Sequence, residues 1–384
     1  MGCISPLGAD SAAATRSLID AADCVTSVEA FDVSRCKCQS AGQIPDAWLQ
    51  KATDITRRAQ HWSRASRMML LALAEALSNR SDFEPDAVVI GTTSGGMPFG
   101  EEFYRMHERM QRRRRAAMWV REYVPQQPVR DAMDVFNLGA PIRIVSNACA
   151  SGTNALGIAC QAVRSGRARR VLCGGYDALC ELVFAGFSSL QAATGEKCRP
   201  FDAGRTGLVL GEGAAVFLVE RLDEITHPPL AELSGYGAST DNHHLTQPNP
   251  DGSGPRMAIE IALADARRTG ADVDYVNAHG TATPFNDACE ARALAAVCPQ
   301  APVSSTKGQM GHALGAAGAI EAAFCVQAIQ EGFLPANIHF RTPDDGVTLD
   351  IIANASRKAS PRCALSSSLG FGGANAAIVM EAVK

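Results

Sequence analysis

One stretch limits the possible folds more than any other: strand, helix and strand follow at short intervals in the first half. Ile142-Arg-Ile-Val145 is short and apolar. Ser151–Ser165 has apolar residues at helical spacing and is closed by Gly166. Arg170-Val-Leu-Cys173 is a further apolar strand, with Gly174-Gly175 read as its turn. Two buried strands joined through one helix form a parallel βαβ unit. Upstream, Ala65–Leu77 reads as a helix, with Met68, Leu71, Ala72 and Ala76 on one face. Ala87-Val-Val-Ile90 reads as a strand ending in Gly91-Thr-Thr-Ser-Gly-Gly96.

The second half repeats the alternation. Helices are expected at Arg256–Thr269, at Asp287–Val297 (capped by Asn286 or Asp287) and in the small-residue segment Ala316–Gln330. Strands are expected at Tyr275–Asn277, Val303–Ser305, Cys363–Ser366 and Ala376–Met380. No repeat is visible by identity. A break near Glu220–Pro229 divides the chain into two α/β halves, residues 1–222 and 223–384.

Composition narrows the function classes. Of 384 residues, 46% are hydrophobic and 20% charged, enough for a sizeable core, and the formal net charge of −4 points to no nucleic-acid partner. The 13 Cys form no Cys-x-x-Cys set, and Cys36-Lys-Cys38 has no metal-type companion. They read as reduced thiols of a cytosolic protein, with no metal site. The first residues lack the basic-then-apolar pattern of a signal peptide, and no run of 18 apolar residues occurs, so no membrane span is expected. Gly100–Asp131 is rich in Arg, with Arg112–Arg115 consecutive and Arg105, Arg109 and Arg121 nearby. It reads either as a solvated helical face or as a docking patch for an acidic partner.

Three residues could carry chemistry. Cys149 lies in Val145-Ser-Asn-Ala-Cys-Ala-Ser-Gly-Thr153, between a strand and a helix, with Gly152 read as allowing a sharp turn. A helix N-terminus there offers free N–H groups and partial positive charge, which lower a thiol's pKa and can hold an oxyanion. Taken alone, such a Cys is more simply a buried structural thiol. His279, in Asn277-Ala-His-Gly-Thr-Ala-Thr-Pro-Phe-Asn-Asp287, and His312, in Ser305-Thr-Lys-Gly-Gln-Met-Gly-His-Ala-Leu-Gly-Ala-Ala-Gly318, also sit at strand-to-helix junctions. Ligands bind at such junctions in open α/β sheets. Neither Leu369-Gly-Phe-Gly-Gly373 nor Gly311–Gly318 has the context of a phosphate-binding loop, so no nucleotide cofactor is expected.

Five segments together resemble the thiolase-fold condensing enzymes, and most closely the elongating β-ketoacyl-[acyl carrier protein] synthases. They are the Cys149 and His279 segments, Lys307–Glu321, Leu369-Gly-Phe-Gly-Gly-Ala-Asn375, and Arg199-Pro-Phe-Asp-Ala-Gly-Arg-Thr-Gly-Leu-Val-Leu-Gly-Glu-Gly213. The resemblance implies two related βαβαβ-type halves in a layered α-β-α-β-α core. It implies that Cys149 carries the acyl chain and that His279 and His312 donate N–H groups to the enolate left by malonyl decarboxylation. Lys307 would be the nearby cation, with Glu321 in its network and Asp287 in support. Thr281 and Thr283 would bind the phosphopantetheine arm. The N–H groups of Cys149 and Phe371 would form the oxyanion hole, with Phe371 also a gate. Arg57, Arg58 and Arg199 would meet the acyl carrier protein, and the protein would be a homodimer or pair with a related synthase.

Two departures qualify the resemblance. The chain starts inside the Gly-x-x-Ser-Pro-Leu-Gly turn that the family's first strand precedes, so that strand is expected to be absent or to lie upstream. Leu369 stands where many elongating members have Phe, which bears on acyl access. The alternative reading is a partner subunit of the chain-length-factor type. Such subunits usually lack the nucleophilic Cys, and the presence of Cys149, His279, His312 and Lys307 speaks against it.

Overall fold

The computed structural model describes residues 1–109 and 116–383, so the Arg112–Arg115 run lies outside the described residues. Two principal sheets organise the chain. The first contains β1 (Gly2–Ile4), β2 (Ala87–Gly91), β3 (Ile142–Val145), β4 (Arg170–Asp177) and β5 (Gly213–Glu220), in the order β3-β2-β4-β5-β1. The second contains β6 (Glu232–Thr240), β7 (Tyr275–Asn277), β8 (Pro302–Ser304), β9 (Asp350–Ile351), β10 (Cys363–Gly370) and β11 (Ala374–Glu381), in the order β9-β8-β7-β10-β11-β6. Set aside β9 and the orders correspond. In each sheet three parallel strands are followed by two antiparallel ones, and the first strand of the half is outermost. The halves are thus related in topology although no identity shows it.

Five layers result. Helix α1 (Arg64–Leu77) covers the outer face of the first sheet. Helices α2 (Ser151–Arg164) and α5 (Ala317–Glu331) lie between the sheets. Helices α3 (Ser253–Asp265) and α4 (Pro284–Val297) form the outer layer of the second half. The central helices are buried nearly all round, so they carry no polar stripe. Small residues bring them close. A Cβ at Gly152 would lie 2.7 Å from the amide of Ala319 and 2.9 Å from the carbonyl of Gly315.

Several expectations need correction. A first strand is present: Gly2, Cys3 and Ile4 pair antiparallel with Val216, Ala215 and Ala214. Three residues suffice because β5 is already ordered by β4 along its other edge. Gly174-Gly175 is not a turn. Strand β4 runs through it to Asp177, with Gly174 opposite Val216 and Ile90. Helix α4 begins at Pro284, a residue suited to the first helical position, rather than at Asp287. Helix α3 begins earlier than expected, at Ser253, and ends at Asp265, before Arg267, which adopts a left-handed conformation with φ 56°. Gly152 serves helix packing, and the sharp turn is made elsewhere.

Replacing Gly152 with Ala should therefore overpack the α2–α5 contact and cost about 1–3 kcal/mol. Chemical or thermal unfolding checks this, and wild-type stability in G152A would refute the close packing.

Candidate active site

The end of β3 and the start of α2 present Cys149. Ala148, just before it, takes φ 46°, unusual for a residue with a Cβ. Hydrogen bonds hold this elbow. Ser151 Oγ accepts from the amide of Asn147 (2.8 Å) and donates to the carbonyl of Ala148 (2.6 Å), and Thr93 Oγ1 donates to the same carbonyl (3.4 Å). Cys149 is buried, with 7% of its surface exposed.

The second half brings two imidazoles to it. His279 leaves β7, and His312 precedes α5. The donor atoms of Cys149, His279 and His312 all lie within 4.8 Å of one another. The imidazole centroids are 5.1 Å apart and the rings nearly perpendicular. Burial, and then the charge of Lys307, push both histidines well below the ordinary 6.5, with His312 adding to the effect on His279. They are neutral at physiological pH. Among the described residues, neither ring nitrogen of His312 nor Nδ1 of His279 has a hydrogen-bond partner. Buried polar atoms are rarely left so, and one nitrogen of each ring comes within 4.8 Å of the thiol sulfur.

Burial pushes the Cys149 thiol up to about 12, with Asp177 and Glu321 adding to the rise. Lys307 and the amide of Phe371 oppose it. Desolvation thus acts against the lowering expected of a helix terminus. The resting residue is a thiol. Lys307, itself buried, is hydrogen-bonded to Glu321, whose carboxyl burial pushes up to about 7 against the pull of Lys307. Geometrically the Cys-His-His set could hold a transition-metal cation, but the Lys307 ammonium beside it would repel one.

A cleft of about 290 Å³ opens from Cys149 and is lined by His279, Thr281, Thr283, His312, Leu369 and Phe371, among others. The hydroxyls of Thr281 and Thr283 are 3.0 Å apart. Phe371 packs on Phe187, with centroids 5.5 Å apart and planes tilted by 31°. Asp287 does not line the cleft. It accepts from the amides of Phe201 (2.7 Å) and Ala282 (3.1 Å), securing the loop after His279. Arg57 and Arg58 are exposed on a short 3₁₀ turn, outside the cleft lining. Arg199 lies outside it too, with its side chain only 16% exposed and its guanidinium engaged by Glu196 at 3.5 Å.

Two acids escaped the sequence reading. Glu290, fully buried, accepts from the amides of His279 and Gly280 and from Ser367 Oγ, each at 2.7 Å. Its signal was its place one turn beyond Asp287 on α4. Asp177 ends β4 beneath the elbow, and its signal was the carboxyl end of a parallel strand.

A layered fold of two corresponding sheets, with a thiol from one half and two neutral imidazoles from the other, defines a condensing-enzyme type of site. The family models for the β-ketoacyl synthase N-terminal and C-terminal domains match residues 1–224 and 230–341. The chain belongs to the β-ketoacyl synthase family. It is 32% identical to the 3-oxoacyl-[acyl-carrier-protein] synthase 2 of Staphylococcus aureus, over 99% of both chains. It is also 32% identical to the protein of that name from a Synechocystis strain, over 99% of this chain and 96% of the relative. Among solved structures, the ishigamide ketosynthase/chain length factor matches with a TM-score of 0.91 and 28% identity, over 100% of this chain and 98% of that one. A type II polyketide synthase acyl-carrier protein in complex with its ketosynthase matches at 0.87 and 25%, with the same coverage. No helix among the described residues is long and apolar enough to cross a membrane.

Because only the thiolate is nucleophilic, alkylation of Cys149 by iodoacetamide should climb about tenfold per pH unit between about pH 7 and 10. A plateau near neutral pH would show an activated resting thiolate and overturn this electrostatic reading. Lys307→Met should leave Glu321 buried without its partner and destabilise the protein by about 3–5 kcal/mol, measured by denaturant unfolding.

Proposed function

We propose that the protein is a 3-oxoacyl-[acyl carrier protein] synthase, joining a Cys149-bound acyl chain to a malonyl unit with loss of carbon dioxide. The observation that carries this reading is the convergence of a buried thiol and two neutral imidazoles with unpartnered nitrogens at the end of one cleft. In this reading residues 1–222 supply the nucleophile and residues 223–384 the two histidines.

The first step transfers an acyl group from a carrier-protein thioester. The Cys149 sulfur attacks the carbonyl carbon, and the oxyanion is held by the amides of Cys149 and Phe371. The pantetheine thiol leaves with the proton that Cys149 gives up. The Phe371 amide lies close enough to the thiol to oppose its raised pKa, which supports this role. In the second step the malonyl thioester loses carbon dioxide. Its carbonyl becomes an enolate that accepts hydrogen bonds from His279 and His312, a task suited to neutral imidazole. The enolate carbon then attacks the acyl thioester, and the Cys149 sulfur leaves and is reprotonated. Lys307 and Glu321 keep the field around His312 fixed. Thr281 and Thr283 hold the phosphopantetheine arm that the carrier brings, and no resident cofactor or metal is needed.

The partner in this reading is an acyl carrier protein, met through Arg57 and Arg58, with Arg199 contributing less because Glu196 engages it. The reaction is placed in the cytosol, and the active unit is a homodimer or a pair with a related synthase. The solved structures of ketosynthases with a chain length factor or a carrier protein support these partners. The alternative, a non-condensing partner subunit, leaves the Cys-His-His-Lys set without a purpose.

Incubation with acyl- and malonyl-carrier proteins of graded chain length, read by mass spectrometry, tests the proposal. An acyl adduct on Cys149 and a 3-oxoacyl product are expected, and C149A should abolish both. H279A or H312A should slow condensation by about 10²–10³-fold. Absence of any adduct or product across the series would favour the partner-subunit reading.

A further inference from the structure

Asp177 has no part in the chemistry above, yet it touches both sides of the site. Its side chain is fully buried. Its first oxygen accepts from Thr92 Oγ1 (2.7 Å), the amide of Ser94 (2.8 Å) and Ser94 Oγ (2.7 Å). Its second accepts from the amides of Thr93 (2.9 Å) and Gly315 (2.7 Å). None of these donors is charged. The Thr92–Ser94 loop follows β2 in the first half, and Thr93 Oγ1 reaches back to the Ala148 carbonyl of the elbow. Gly315 belongs to the second half, three residues beyond His312.

The turn that carries His312 is tightly fitted at this point. The His312 amide donates to the Val209 carbonyl (2.7 Å), and its carbonyl accepts from Gly211 (2.8 Å). Leu314 has φ 54°, a left-handed value for a branched side chain. A Cβ on Gly315 would stand 2.5 Å from Thr93 Oγ1 and 2.8 Å from the Asp177 carboxylate. Among the described residues the carboxylate thus ties the elbow loop to the His312 turn by hydrogen bonds on both sides.

We propose that Asp177 is a positioning residue that fixes the His312 turn against the Cys149 elbow. The inference rests on the condensing-enzyme reading above. Five donors converge on the group, and only a carboxylate can accept all of them. An amide would turn its NH₂ toward the Gly315 or Ser94 amides, two donors facing each other, and force the turn and loop apart. The buried negative charge has a second effect. Burial is what chiefly raises the Cys149 thiol, and the Asp177 charge, with that of Glu321 and against Lys307, adds to that rise beside the neutral His279 and His312.

The test separates positioning from mere stability. Asp177→Asn should slow malonyl-carrier-protein decarboxylation by about tenfold or more, as a displaced imidazole would. It should also make iodoacetamide alkylation of Cys149 faster than wild type at every pH, because the opposing charge is gone. A purely structural role would lower the melting temperature without accelerating alkylation. Wild-type decarboxylation in D177N, or slowed decarboxylation with alkylation unchanged or slower, overturns the proposal. If D177N does not fold, Ser94→Ala decides, since it removes one donor and keeps the charge. S94A should slow decarboxylation with alkylation unchanged, and a wild-type rate overturns the proposal. If the wild-type protein itself fails to decarboxylate malonyl-carrier protein, the condensing reading has failed. The alkylation comparison would then still show whether Asp177 acts on the thiol.

Discussion

The site depends on a close packing contact: α2 and α5 meet between the sheets at nearly backbone distance. Gly152 packs against Ala319 and Gly315, and a Cβ at Gly318 would meet Thr153 Oγ1 at 1.9 Å. Side chains of ordinary size would hold these helices apart by ångströms. Helix α2 begins just after Cys149 and α5 just after His312, so their separation sets the reach between thiol and imidazole. Interiors packed to crystal-like density transmit such displacements rather than absorb them. The Ala- and Gly-rich composition of α5 is therefore a statement about the site as much as about the core.

Around that contact the protein buries an unusual set of ionisable groups. Lys307 and Glu321 form one pair. Asp177 and Glu290 are held by amides and hydroxyls instead of cations. Buried charge arranged in this way contributes little to stability and exists at a cost in desolvation. Its effect is electrostatic fixity. Both histidines stay neutral, with ring nitrogens unpartnered among the described residues, and the thiol stays protonated. Glu290 orients the backbone at His279, while Asp177 does so near His312, one acid for each imidazole.

Much of this was legible in the residues. The βαβ run around Cys149 was read with nearly the observed boundaries, because apolar strands and a Gly-closed helix leave strong local signals. Cys149, His279 and His312 were picked out by their junction positions together with the family resemblance, and the structure gathers them. Three of the failures share one cause. Gly174-Gly175 reads as a turn locally, but pairing on both sides carries the strand through it. Gly152 reads as a turn residue, while the turn is at Ala148, held by Ser151 and Thr93. The first strand was missed because three residues carry no periodicity, yet β5 templates them. In each case partners distant in the chain overrode the local signal.

The sequence by itself determined the alternation of strands and helices, the candidate reactive groups and the small-residue character of the central helices. These follow from short-range spacing and from side-chain chemistry, which need no third dimension. Only the tertiary structure decided the state of the groups. A helix N-terminus should favour a Cys149 thiolate, but enclosure by both halves removes the water that would solvate it. The same enclosure keeps His279 and His312 neutral and makes Asp177 and Glu290 essential hydrogen-bond acceptors. Desolvation and long-range pairing depend on what surrounds a residue in space, and that is set by how the two sheets close over α2 and α5.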